Sequence, residues 1–250
     1  MKYRFRLPKK IVFGAAATFL LSFASAQTVS EGIINLDSHK YAKAKEIFNQ
    51  MIAKSPTAEN YYYLGYSYLS QFEPNFELAK ENFDKGLAID SKSYLNKIGL
   101  ATIKLGKGQK ASAIAELTQV AKESKEKDAE VLYRIGEALT MFENNNDPAL
   151  AITYINKAIE KAQKYGVPAY YYYTLGDAYR LTRDPGNAMT AYDRASEVAK
   201  NKASVFYRMA TLWMAAKQYK KAEENIAKAI NTDATYAPAY KAQAQYNKIF

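Results

Sequence analysis

The chain of 250 residues contains no Cys and a single His, and its 35 Lys and Arg outnumber its 25 Asp and Glu, for a formal net charge of +10. Without Cys there is no disulfide, thiolate metal site or Cys nucleophile, and one imidazole cannot supply the His pair of a typical metal site. That imidazole, His39, lies in a polar turn and is predicted to be a solvated turn residue.

The first 26 residues have the three parts of a secretory signal peptide. Residues 2–10 carry five basic side chains, residues 11–23 are apolar, and Ala24-Ser25-Ala26 has the small residues of a cleavage site. The apolar run, at roughly 13 residues, is too short to cross a bilayer core of about 30 Å as a helix. We therefore expect cleavage after Ala26, no stable membrane insertion afterwards, and export of the mature chain, with the periplasm as first choice and secretion as second.

Cleavage would also change the charge balance. The leader carries five of the 35 basic residues and no acidic residue, which leaves 30 basic residues against 25 acidic ones. Their signs alternate along the chain, as over residues 122–128, a pattern typical of a solvated helix face. Nucleic-acid binding needs a stripe of positive charge, and the sequence has none, so no nucleic-acid partner is expected.

After residue 27 the sequence repeats with a spacing near 34 residues. A small residue marks each copy, and a second small residue follows it after 12 to 15 positions. The first series is Gly32, Gly65, Gly99, Gly136, Gly176, Ala210 and Ala244. The second series is Ala44, Ala79, Ala113, Ala151, Ala188 and Ala222. A period of this length with two helix-forming halves predicts an all-α solenoid, in which each unit packs on its neighbours.

The spacing of apolar residues within a unit is helical. Tyr61, Leu64, Gly65 and Tyr68 fall at positions i, i+3, i+4 and i+7 of one helix face. Three prolines are predicted to begin second helices, where the missing N–H costs little. They are Pro74, Pro148 and Pro185.

One stretch carries the clearest family resemblance. Residues 168–201 are similar to the tetratricopeptide pattern W-x2-L-G-x2-Y, followed by A-x3-F. The matching residues are Tyr172, Leu175, Gly176, Tyr179, Ala188 and Tyr192. The resemblance covers a domain of residues 27–250 with units near 27–56, 57–91, 92–127, 128–165, 168–201, 202–235 and a partial 236–250. It implies a right-handed superhelical solenoid of six antiparallel helix pairs plus one further helix.

The marking glycines are expected to allow close helix packing. Alanine rarely adopts a positive φ, yet Ala210 and Ala244 occupy the same position in the repeat as the glycines. A positive φ is therefore not what this position requires. The position therefore demands a small volume. On that basis we expect Gly176→Ala to be tolerated and Gly176→Leu to be destabilising.

The resemblance further implies a concave groove lined by the first helices. The residue after each aromatic of the motif faces that groove, and four of six such residues are Tyr62, Tyr133, Tyr173 and Tyr207. Later positions on the same face are Tyr66, Glu137, Asp177 and Arg180. Tyrosine offers a large contact area with a polar tip, so these eight residues are predicted to bind a partner segment. The alternative is that the aromatic residues pack between neighbouring first helices, in addition to the motif tyrosines expected in the core, such as Tyr61, Tyr68, Tyr172 and Tyr179.

The same positions argue against other kinds of site. The chaperone-binding branch of the family holds a C-terminal carboxylate with Lys and Asn, whereas Tyr62 with Tyr66, and Tyr173 with Asp177, stand here. No paired carboxylates or phosphate-binding loop is found, and Gly106-Lys107-Gly108 is read as a turn. We predict no catalytic, cofactor or metal site.

The sequence therefore predicts a non-enzymatic scaffold or adaptor outside the cytoplasm, like exported proteins of the Bacteroidota, which binds a peptide or protein segment in its groove. The alternative is a structural stacking or oligomerisation arm of a longer chain of repeats, with self-association through its C-terminal end. Residues 238–250 begin a seventh unit and end on the apolar Ile249-Phe250. We expect the natural chain to continue beyond Phe250, because a solenoid end usually has a polar cap.

Overall fold

A computed structural model describes residues 29–249. The predicted signal peptide and its cleavage site lie outside the described residues, as does Phe250. Within residues 29–249 the structure contains thirteen α-helices and no strand, which confirms the all-α prediction. None of these helices is long and apolar enough to cross a bilayer.

The helices follow one another with short turns. They are α1 (residues 29–37), α2 (Tyr41–Lys54), α3 (Ala58–Leu69), α4 (Phe76–Ile89), α5 (Tyr94–Gly106), α6 (Lys110–Glu123), α7 (Ala129–Met141), α8 (Pro148–Ala162), α9 (Ala169–Leu181), α10 (Pro185–Val198), α11 (Ala203–Ala215), α12 (Tyr219–Thr232) and α13 (Ala237–Asn247). Short 3-10 turns cover Glu143–Asn145 and Gln163–Tyr165. Successive helices pack as six pairs, α1 with α2 through α11 with α12, and α13 packs on the last pair.

Local signals define where the helices begin. The side chains of Asp128, Asp147 and Asp184 accept hydrogen bonds from backbone N–H groups of α7, α8 and α10, which satisfies donors that have no partner within the helix. Pro148 and Pro185 begin their helices as predicted. The prediction for Pro74 is wrong by two positions, because α4 begins at Phe76 and its cap is Asn75.

A large side chain from the second helix of a pair lies beside most of the marking glycines. A Cβ built on Gly176 would lie 2.3 Å from Cε1 of Tyr192, and one on Gly65 would lie 2.5 Å from Cε1 of Phe83. This confirms the demand for small volume. It argues against the tolerance expected of Gly176→Ala, because Tyr192 is fully buried and cannot easily move. Ala210 is no precedent, since it packs with the narrower Ile226.

The solenoid curves until its first pair meets its last helices. Nζ of Lys40, which follows α1, donates to Oγ1 of Thr235 at 2.7 Å. Nζ of Lys241 on α13 lies 5.5 Å from the ring centroid of Phe72 in the turn between α3 and α4. The concave surface is therefore enclosed by the chain's own two ends rather than left as an open channel.

Candidate partner-binding site

A cavity of about 410 Å³ lies on the concave side, with walls from α1, α3, α7, α9 and α11. Asp37, Ser70, Met141 and Leu181, at the C-terminal ends of the first helices, contribute to its lining. Of the eight predicted site residues, six line it: Tyr66, Tyr133, Glu137, Tyr173, Asp177 and Arg180. The other two, Tyr62 and Tyr207, do not.

The predicted open ladder of tyrosines is wrong for Tyr62 and Tyr133. Their exposed fractions are 2% and 1%. The Tyr133 ring stacks on that of Tyr171, with centroids 4.3 Å apart, and the Tyr62 ring lies 5.9 Å from that of Phe83. These rings fill the space between neighbouring helices, which was the alternative that the sequence left open. Tyr133 contributes to the cavity wall without offering a free aromatic face.

The tyrosines expected in the core are more exposed than those two. Tyr61, Tyr68, Tyr172 and Tyr179 are each only partly buried. Tyr171 and Tyr63, which the sequence did not single out, are 3% exposed instead. In unit two the residue directly after the motif aromatic is therefore the deeper one, since Tyr62 is buried and Tyr61 is only partly buried.

A buried guanidinium lies behind the cavity wall. Arg134 of α7 has no exposed side-chain surface, and it donates from Nε to Glu130 and from Nη1 to Glu137, each at 2.7 Å. Its Cζ lies 4.9 Å from the ring centroid of Tyr66 and 5.1 Å from that of Tyr133. Burial alone would lower the pKa of Arg134, but Glu137 and Glu130 raise it well above its ordinary value. The arginine is thus held as a permanent cation.

Glu137 joins this buried cation to the cavity. Its Oε1 accepts hydrogen bonds from the hydroxyls of Tyr66 at 2.8 Å and Tyr133 at 2.7 Å, while Oε2 accepts from Arg134. The pKa of both phenols is raised well above the ordinary value, mainly by burial and next by the negative charge of Glu137. Both hydroxyls are therefore fixed as donors to a carboxylate, and that of Tyr66 connects α3 directly to α7.

A second arginine lines the cavity itself. Arg208 of α11 donates from Nε to Oδ2 of Asp177 and from Nη2 to Oδ1 of Asp37, each at 2.9 Å. Its Cζ lies 4.0 Å from the ring centroid of Tyr173, a close cation–π contact. The cluster ties α1 to α9 and α11. The site therefore depends on contacts between distant units.

Arg180 and Tyr207 differ from the other predicted residues. Arg180 is exposed at the cavity, and no ion pair to it is found within residues 29–249. Tyr207 is partly buried and lies edge-on to Tyr236, with ring centroids 5.9 Å apart. Its ring packs at the base of α13 instead of facing the cavity, so the structure removes it from the groove.

Arg134, Arg208 and Asp37 were not predicted from the sequence as site residues. One signal was present, because each arginine directly follows a predicted groove tyrosine, as Tyr133-Arg134 and Tyr207-Arg208. Asp37 had no local signal, since its partner is 171 positions away. His39 is exposed, at a positive φ of 58°, and its ring stacks on Tyr41 at 5.5 Å.

A smaller cavity of about 220 Å³ lies beyond Asp37 and Tyr173, which line both spaces. Its other walls come from the starts of α1, α9 and α11, and from Tyr236. The Asp37–Arg208–Tyr173 cluster therefore separates two spaces on the concave side. Within residues 29–249, no group of three or more His, Cys, Asp or Glu side chains could hold a metal ion.

Comparison with known proteins agrees with this fold. Residues 169–202 match the model of the tetratricopeptide repeat, and they correspond to the unit that the sequence predicted to fit best. No curated protein sequence matches the chain. The chain therefore contains a tetratricopeptide repeat, within a solenoid of the type that tetratricopeptide proteins form.

Three solved structures illustrate the likeness. Yeast Tom70 is 17% identical with a TM-score of 0.54, and the match covers 82% of this chain and 44% of Tom70. A chain of the APC/C hetero-tetramer Cut9–Hcn1 is 18% identical with a TM-score of 0.42, covering 85% of this chain and 47% of that one. YrrB, described as a TPR protein with an unusual peptide-binding site, is 21% identical with a TM-score of 0.48, covering 79% and 97%. This chain thus spans less than half of the Tom70 and Cut9–Hcn1 chains.

Proposed function

We propose that this protein is a non-enzymatic scaffold or adaptor that acts outside the cytoplasm and binds a segment of a partner protein in the concave cavity. The observation that carries this proposal is the cavity itself. It is about 410 Å³ in volume, within the range of specific binding pockets. Hydrogen-bonded side chains from several units fix its walls, so that the site is already formed before a ligand arrives.

The location rests on sequence features alone. A basic stretch, a short apolar run and a small-residue cleavage site precede the described residues, and this order is that of an exported chain. The periplasm of a Gram-negative bacterium is the compartment we propose, with secretion as second choice. A chain without Cys is suited to an oxidising compartment, since it has no thiol to oxidise.

The absence of an enzymatic role is also proposed on chemical grounds. The carboxylates of Glu137 and Asp177 each accept hydrogen bonds from a tyrosine hydroxyl and from an arginine. A general base must be free to accept a proton, whereas these two carboxylates are held by permanent cations. Their arrangement suits recognition rather than proton transfer.

A stacking arm is the second candidate function. Tyr240 and Ile249 near the C-terminal end are 47% and 49% exposed, so this end has apolar surface for a further repeat or a second copy. The contacts of α13 and the preceding turn with Phe72 and Lys40 already use part of that end. Light scattering over a range of concentrations separates the two functions, because an arm would self-associate and a scaffold would stay monomeric.

The experiment that tests the scaffold proposal places a bulky side chain inside the cavity. Thr140 lines the cavity, and its hydroxyl donates to a carbonyl of its own helix. Thr153 makes the same kind of bond on the exposed face of α8. We expect Thr140→Trp to abolish capture of partners from periplasmic extract and Thr153→Trp to leave it intact, with both variants folded by circular dichroism. Equal capture by the two variants would contradict the proposal.

A further inference from the structure

We propose that the concave cavity receives a cationic side chain, arginine or lysine, of the partner segment. This inference rests on the proposed function and specifies the chemistry of the same site. It follows from two observations: how the chain binds its own arginines beside the cavity, and how many carboxylates line it.

The chain already places two guanidinium groups in the surroundings that such a ligand would meet. Arg134 lies between two carboxylates and beside the rings of Tyr66 and Tyr133, and Arg208 lies between two carboxylates and over the ring of Tyr173. The three rings and three of those four carboxylates line the cavity. Tyrosine rings attract cations through their faces, and carboxylates accept the forked donors of arginine. The wall therefore contains the kinds of group that bind a guanidinium, and because those beside Arg134 and Arg208 are already engaged, an incoming cation needs the acceptors that remain.

The carboxylates of the lining outnumber the cations. Asp37, Glu137, Glu143 and Asp177 are acidic, and Arg180 and Arg208 are basic. Arg208 is shared by two of these carboxylates. Within residues 29–249 no hydrogen bond or ion pair is found for Glu143 or for Oδ2 of Asp37, so acceptors remain for an incoming donor.

The acidic cavity belongs to a basic chain. The full sequence has a formal net charge of +10, and it stays positive after loss of the predicted leader. Long-range attraction by the whole molecule would therefore favour an acidic partner. A preference for a basic segment would therefore have to come from the cavity. Comparing basic with acidic peptides thus separates the effect of the cavity from that of the net charge.

The test measures, by fluorescence polarisation, the affinity of the mature protein for three short fluorescein-labelled peptides. The peptides share an Ala-Ser background and differ only at three spaced positions, which hold Arg, Gln or Glu. We expect the Arg peptide to bind about tenfold more tightly than the Gln peptide, and the Glu peptide to bind least. The order should persist at physiological ionic strength, where exposed charges are screened beyond about 8 Å.

Variants assign the preference to the cavity. Glu143→Gln removes a carboxylate at the cavity, and Glu160→Gln makes the same change at an exposed site on α8. We expect Glu143→Gln to weaken the Arg peptide severalfold, Arg180→Glu to strengthen it, and Glu160→Gln to leave it unchanged. None of these residues has a buried ion pair, so the fold should persist.

The outcomes separate this inference from the proposed function. If the Gln or Glu peptide binds more tightly, and Thr140→Trp abolishes that binding, the cavity is a binding site of different chemistry and the cationic preference is wrong. Equal weakening by Glu143→Gln and Glu160→Gln would also contradict it. Failure of all three peptides to bind would count against both proposals.

Discussion

Arg208 on α11 and Asp37 at the end of α1 are joined by a hydrogen-bonded ion pair of 2.9 Å, although 171 positions separate them in the sequence. Only 16% of each side chain is exposed. A solenoid is held by contacts between neighbouring repeats. This ion pair adds a contact between the first helix pair and the last. It gives the concave side a defined shape.

We expect Asp37→Asn to loosen this closure without unfolding the chain. The variant weakens a charge-assisted hydrogen bond, which contributes about 1.5–3 kcal/mol, while Arg208 keeps Asp177. Because the sequence has no Cys, two dyes can be attached at Lys43→Cys and Lys220→Cys, on α2 and α12. Energy transfer should fall for Asp37→Asn. Asp193→Asn, an exposed change on α10, is the control and should not alter it.

We expect Arg134→Met to be strongly destabilising. Removal of the buried cation leaves Glu130 and Glu137 without their partner, and such a loss costs about 3–5 kcal/mol. The exposed Arg194→Met on α10 should change the free energy of unfolding by about 0.5 kcal/mol or less. Urea unfolding compares the two. Adding Glu137→Gln to Arg134→Met should recover part of the loss, and a double variant less stable than Arg134→Met would argue against the ion pair as cause.

Gly176→Ala should be destabilising, by about 1–3 kcal/mol, because the added methyl group meets the buried ring of Tyr192. Gly176→Leu should be worse. The native pair Ala210 with Ile226 indicates the remedy, since a narrower side chain leaves room for the methyl group. In a double-mutant cycle, Gly176→Ala should cost less in a Tyr192→Ile background than in the wild type. Additive effects would contradict the steric explanation.

The buried tyrosines should resist alkaline titration. Burial raises the pKa of Tyr62, Tyr66, Tyr133 and Tyr173 far above the ordinary value of about 10. Above pH 10 the folded state keeps these protons and the unfolded state releases them. The unfolded state then binds fewer protons, so the free energy of unfolding falls as pH rises past about 10. Absorbance at 295 nm should show a late step that coincides with loss of the circular dichroism signal. Full ionisation before that loss would be inconsistent with burial.

The helix pairs could be read from the sequence because their signals are local. Small residues at a spacing near 34, helical periodicity and capping side chains such as Asp184 lie within single units. The depth of Tyr62 and Tyr133 could not be read in this way. It depends on how tightly the units curve, a property that builds up over the whole stack, and a repeat motif describes only one unit at a time.

The composition of the site was predicted only in part for the same reason. Six of the eight named residues line the cavity, because the first-helix face is a property of the local period. Asp37 could not be predicted as a site residue, because its partner Arg208 lies five units further along the chain. Arg134 and Arg208 were visible as Tyr-Arg pairs, and a buried role for them required knowing that Glu130, Glu137 and Asp177 surround them.

Site-specific photo-crosslinking in the native host tests most directly whether the concave cavity binds a partner. A photoreactive amino acid is introduced at Glu143 or Arg180, both at the cavity, and at Glu160 on the exposed face of α8 as the matched control. We expect one crosslinked protein band that is shared by the two cavity positions and absent at Glu160. Crosslinks from Glu160 with none from Glu143 or Arg180 would contradict it, because the partner would then bind the outer surface of the solenoid.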